Sequence, residues 1–144
     1  MRSVYRVLAS LVAIGVLAQA MTIALGWFTT LKDVDDGLVF DKNSDANFGQ
    51  MAHGILGMTV IPALALLLLI VSFFAGVDGG VKWALIVFGL VVLQVALAFV
   101  SFGVPAIGAL HGANALAVMA VAGMAGRRAA GPRTETPAPS EAKL

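Results

Sequence analysis

Two histidines are the residues of this chain whose type and setting point most directly to chemistry. His53 lies in "MAHGILGM" and His111 in "ALHGANAL", each just inside a long apolar run and each followed by glycine. A neutral imidazole offers one lone pair to a transition metal while its other nitrogen donates a hydrogen bond. There is no cysteine, so thiolate ligands, disulfides and redox-active thiols are excluded. Two histidines are too few for a zinc or copper site unless loop aspartates join them. Three carboxamide residues lie deep in the apolar runs with them: Gln19, Gln94 and Asn114. Buried polar side chains are expensive in hydrocarbon and are functional candidates by default.

The elements that must position these groups follow from where charge is missing. The chain is 60% hydrophobic and only 12% charged, about half the usual charged share. No Asp, Glu, Lys or Arg occurs from Val7 to Leu31, from Phe48 to Val77, or from Trp83 to Gly126. A bilayer span needs roughly 20 apolar residues. The last window holds two spans, split at "FGVPA". The pattern therefore predicts an all-α integral membrane protein, an up-down bundle with helices at about 5–27, 51–74, 82–102 and 105–126. Together these make one transmembrane domain, residues 1–126, followed by a Pro-, Ala- and Ser-rich tail, 127–144, predicted to be disordered.

Orientation comes from the basic residues. Arg2, Arg6, Lys82, Arg127, Arg128, Arg133 and Lys143 fall on one side, and the aspartate-rich first loop, Phe28 to Gln50, falls on the other. Both termini are expected in the cytoplasm, in a multi-pass protein of the inner or plasma membrane. "LAQAM" offers an Ala-x-Ala pattern behind Arg2 and Arg6, as a signal peptide would. The apolar run continues to Phe28, too long for such a segment, so it is read as a retained first span. The aspartates of the loop lack the spacing and closing Glu of a calcium loop and are expected to be a solvated surface.

The four helices also repeat. Gln19 precedes Trp27 by the same interval as Gln94 precedes Phe102, and each glutamine helix is followed by a His-Gly helix. The expectation is a 2+2 parallel repeat about the membrane normal. Short connections make consecutive helices neighbours, so the second and fourth are diagonal. His53 and His111 are expected at roughly 3 and 9 Å below the outer boundary, with the glutamines at ~12 Å. Two imidazoles facing across the diagonal leave room for one metal atom, and a porphyrin fits edge-on between the helices if small residues clear its faces. Gly49, Gly54, Gly57, Gly108, Gly112 and Ala115 flank the histidines and supply that clearance. Gln19, Gln94 and Asn114 are expected to hold the free ring nitrogens or a haem edge. Pro62 is expected to kink the second helix, and Ser10, Thr22, Thr59, Ser72 and Ser101 to bond their own backbone.

This arrangement resembles one four-helix half of a haem A synthase. The "LHGANALAV" segment is similar to that family's fourth helix, and "LQVALA" to its third. The likeness also suits small actinobacterial four-helix membrane proteins. It implies haem b, with His53 and His111 as axial ligands. It departs where the family places a functional Glu, since that position is Gln50, and where an Arg follows the histidine, since that position is Gly54. It therefore implies a haem-binding fold and not haem A synthesis by this chain alone.

The expected function is that of a small b-type cytochrome-like protein, serving electron transfer, haem handling or haem sensing. Its partners are the bilayer, haem, and a redox partner or membrane complex; nothing in the sequence points to nucleic acid. The competing expectation is a non-enzymatic accessory or scaffolding subunit with interfacial histidines. No nucleophile–base pair, phosphate loop or dinucleotide motif is present.

Overall fold

The charge-free runs become helices, and the breaks between them fall where Gly, Pro or Asx residues interrupt the backbone pattern. The computed structural model describes residues 1–131. It contains α1 (Arg2–Asp35), α2 (Phe48–Ser72), α3 (Gly80–Gly103) and α4 (Pro105–Arg128), each long and apolar enough to cross a membrane. Between α2 and α3, Gly76 and Gly79 adopt φ of 60° and 63°, a left-handed conformation open to glycine at little cost. Between α3 and α4, Val104 is extended and Pro105 opens a short 3-10 turn, Pro105–Ile107, that leads into the α-helix. Pro tolerates that first turn because its missing N–H has no intrahelical acceptor there.

Pro62 does disturb α2, and the disturbance takes the form of a π turn at Leu56–Val60. Proline cannot donate to the preceding turn. The Ile61 N–H instead reaches back to the Leu56 carbonyl, widening the helix just after His53.

The helices pack in a ring, α1 against α2, α2 against α3, α3 against α4 and α4 against α1, so α2 and α4 are diagonal as expected. The fully buried core occupies only one half of the bundle. It is made of Tyr5, Ala9 and Val12, then Ala65 and Leu68, Ala84 and Val87, and Val118, Ala122 and Ala125. All of these lie toward the end that carries the N-terminus. The Tyr5 hydroxyl closes that end by donating to the Gly80 carbonyl at 3.0 Å. Larger apolar side chains point outward: Phe28 is 73% exposed and Phe74 70%. Small residues inside and large apolar ones outside suit helices that associate in lipid, where tight backbone approach drives packing.

Two boundaries differ from expectation. α1 continues past Trp27 to Asp35, and the first connection shrinks to residues 36–47. The segment after Trp27 contains neither Gly nor Pro, and Thr30 bonds the Gly26 carbonyl while Lys32 pairs with Asp36. At the other end of the chain, Arg127 and Arg128 form the last turn of α4 and are not part of a tail. The rest of the predicted disordered tail, from 132 on, lies outside the described residues.

Candidate functional site

The half of the bundle without a core holds the two histidines. Their ring centres are 6.4 Å apart, with the planes inclined at 61°. α2 starts at Phe48, three residues before the expected Met51, and His53 stands five residues into it, as His111 stands six residues into α4. The early start is set by a capping box. The Asn47 side chain accepts from the Gln50 N–H, and the Gln50 side chain accepts from the Asn47 N–H.

Each histidine is fixed by the glutamine of the preceding helix in the same way. The Nδ1 of His53 lies 3.1 Å from the Gln19 carbonyl oxygen, and the Nδ1 of His111 lies 3.1 Å from that of Gln94. A carbonyl can only accept, so both Nδ1 atoms carry the proton and both Nε2 atoms present a lone pair. In return, the Gln19 side-chain amide donates to the His53 carbonyl at 3.0 Å, and the Gln94 amide to the His111 carbonyl at 3.0 Å. The glutamines thus hold the ring nitrogens as expected, but through backbone oxygens. The 2+2 repeat is visible here bond for bond.

The surroundings of the two clamps differ. Asn114 donates to Gln94 Oε1 at 2.7 Å and to the Leu90 carbonyl at 2.9 Å. The residue in the matching place of α2 is Leu56, and Gln19 Oε1 is buried without any hydrogen-bond partner. The second N–H of the Gln94 amide lies 3.1 Å from His111 Nε2. No such contact engages His53 Nε2. One side chain explains this. Four residues after His53 stands Gly57, where an added Cβ would come within 2.6 Å of the Gln19 amide nitrogen. The Gln19 amide therefore rests over bare backbone. The matching residue of α4 is Ala115, which carries a methyl where Gly57 leaves the backbone bare.

Between the α1/α2 and α3/α4 hairpins lies a slot of about 570 Å³, to which all four helices contribute. Volumes of roughly 300–1,000 Å³ hold cofactors and drug-sized ligands. His53, His111, Gln19 and Gln94 line it, with Gly54, Gly57, Gly112 and Ala115 beside the rings. A Cβ at Gly54 or Gly112 would meet nothing within 4 Å, so these glycines leave open space at the slot and are not packing contacts. The remaining wall is apolar, with Ile23, Met58, Val95 and Phe99 among its members.

Three expected contributors lie elsewhere. Gly108 does not line the slot; its nearest neighbour is the Ser101 hydroxyl. Asn114 lies behind Gln94 and touches no ring nitrogen. Gly49 faces α1, where its Cα side abuts the backbone of Gly26 so closely that a Cβ would overlap it. The sequence reading also missed the group that locks this hairpin. The Thr30 hydroxyl accepts from Asn47 Nδ2 at 3.1 Å and from Gln50 Nε2 at 3.2 Å. The Asn-x-x-Gln spacing of "NFGQ" was the available signal.

The donor set can be tested against a haem. Metal–imidazole bonds of about 2 Å place the ring centres of two axial histidines roughly 6.3 Å apart. The observed 6.4 Å fits. In both rings Nδ1 is taken by a carbonyl, which leaves Nε2 as the ligating nitrogen, though that of His111 is met by the Gln94 amide; the residues flanking the rings are small. Among the described residues no third His, Cys, Asp or Glu joins the pair, so a metal held by protein ligands alone lacks a ligand set. Comparison with known protein families, curated proteins and solved structures gives no match.

Proposed function

We propose that this protein is a small integral membrane b-type cytochrome, binding one haem b in the slot with His53 and His111 as axial ligands. The observation that carries the reading is the paired imidazoles at 6.4 Å, each with Nδ1 tied to a backbone carbonyl so that Nε2 is the nitrogen able to coordinate, free on His53 and hydrogen-bonded to the Gln94 amide on His111. Haem would supply one-electron chemistry at a bis-imidazole iron. The chain's residues supply the rest: two oriented bases, an apolar wall that excludes water, and glycines that admit a flat ring. The absence of a carboxylate at Gln50 fits electron transfer or haem handling better than chemistry on the haem itself. Gln50 instead bonds Asn47 and Thr30. The distribution of Arg and Lys supports an orientation with the slot near the non-cytoplasmic face.

The test is spectroscopic. Purified from haem-replete cells, the protein should show the sharp reduced alpha band of low-spin bis-histidine haem. His53→Ala and His111→Ala should each abolish that low-spin band. A colourless wild-type protein, or a low-spin band that survives both substitutions, refutes the reading.

A further inference from the structure

The two histidines have different freedom to act as ligands. In the structure His53 Nε2 makes no hydrogen bond, while His111 Nε2 faces the Gln94 amide nitrogen at 3.1 Å. The Gln94 amide is otherwise fully committed. One N–H goes to the His111 carbonyl, and the oxygen accepts from Asn114. This fixes its orientation, so the remaining N–H points at the imidazole lone pair. An iron must compete with that donor for His111 and has no competitor for His53.

We infer that His111 is the releasable member of the pair, that the Gln94 amide is its resting partner, and that the vacated position accepts a small neutral diatomic ligand. The inference rests on the haem reading above. Its physical basis is the cost of an unpartnered polar atom in an apolar wall. A histidine that lets go of a metal must find a donor for Nε2 or stay unsatisfied. His111 has one in place. His53 does not, because Gly57 lets the Gln19 amide lie away from its ring. The wall of the slot is apolar and includes Leu116 and Met119 from the helix of His111, which suits an uncharged ligand that needs no hydrogen bonds.

The probe is carbon monoxide, titrated into the dithionite-reduced protein and followed by the Soret shift. The wild type should bind it, with partial displacement of the low-spin spectrum. His111→Ala should bind it with higher affinity, because no ligand must leave. Gln94→Leu should raise the half-saturating concentration about tenfold, the cost of leaving Nε2 unpartnered. Because Gln94→Leu also removes structural bonds, Ala115→Gly serves as a second variant. It gives the amide the resting place that Gln19 already has, and should raise half-saturation several-fold in an otherwise intact bundle. An intact bis-histidine spectrum that carbon monoxide never perturbs overturns this inference and leaves the haem reading standing. So does binding that is enhanced by His53→Ala and not by His111→Ala. Absence of haem overturns both.

Discussion

The α1/α2 and α3/α4 hairpins make the same clamp and support it by different means. In both, a glutamine backbone carbonyl accepts from the histidine Nδ1–H and the glutamine side-chain amide donates to the histidine carbonyl. The first hairpin is locked from outside the clamp, by Gly26 against Gly49 and by Thr30 with Asn47 and Gln50. The second has no such lock at its open end and is held at the clamp itself, where Asn114 joins Gln94 to the Leu90 carbonyl. A repeated site therefore needs only its clamp geometry repeated. Each half is free to place its stability elsewhere, and the difference leaves one imidazole free and the other engaged.

The largest effect that would break this comparison is steric. Gly49→Ala places a methyl inside the backbone of Gly26, which no rotamer change relieves. It should cost more than about 3 kcal/mol or prevent folding, beyond ordinary overpacking. Gly108→Ala, the change at the glycine three residues ahead of His111, meets only the Ser101 hydroxyl at 3.9 Å. It should be neutral or slightly stabilising, since alanine favours helix over glycine by about 1 kcal/mol. Thermal unfolding in detergent measures both. Equal losses would mean that the hairpins are locked alike.

Next in size are the glutamines. Gln94→Leu removes its side-chain bonds to His111 and takes one of two acceptors from the Asn114 amide, and should cost about 2–3 kcal/mol. Gln19→Leu removes one donated bond but also removes a buried acceptor that has no partner, so its loss should be only about 1 kcal/mol. Denaturation in mixed micelles separates the two. A larger loss at Gln19 would show that its carbonyl-bound His53 depends on the side chain after all.

Much of the contrast lay beyond the reach of sequence. The four helices were legible because long charge-free windows have few alternatives. The diagonal placement of His53 and His111 followed from short connections. The repeat of Gln-helix and His-Gly-helix was legible from order alone. What sequence could not assign was which atom of each glutamine does the holding, since side-chain and backbone oxygens of one residue share one position. Nor could it sort the glycines. Gly49, Gly54 and Gly108 look alike in the chain, but one meets a facing backbone, one opens on the slot and one faces a hydroxyl. The far end of α1 was missed because polar residues after Trp27 read as loop, although nothing among them breaks a helix.

The smallest effect is also the most specific. If the two clamps differ because Leu56 stands where Asn114 stands in α4, then Leu56→Asn should supply the missing donor to Gln19 Oε1. The turn between His53 and Leu56 is ordinary α-helix, with the π turn beginning only at Leu56, so the new side chain leaves the helix much as Asn114 does. Its second acceptor would be the Gly15 carbonyl, which precedes Gln19 by the same interval as Leu90 precedes Gln94. Satisfying a buried acceptor gains roughly 1–3 kcal/mol, and asparagine gives back about 0.5 kcal/mol in helix propensity along with the packing of a half-buried leucine. A net gain of about 1 kcal/mol should appear as a raised melting temperature. The gain must vanish when Gln19→Leu is added, because the two changes share one bond. A gain that persists in the double variant would come from the helix and not the clamp. No gain in either background would mean that Gln19 Oε1 already has a partner, and that the asymmetry rests on Gly57 and Ala115 alone.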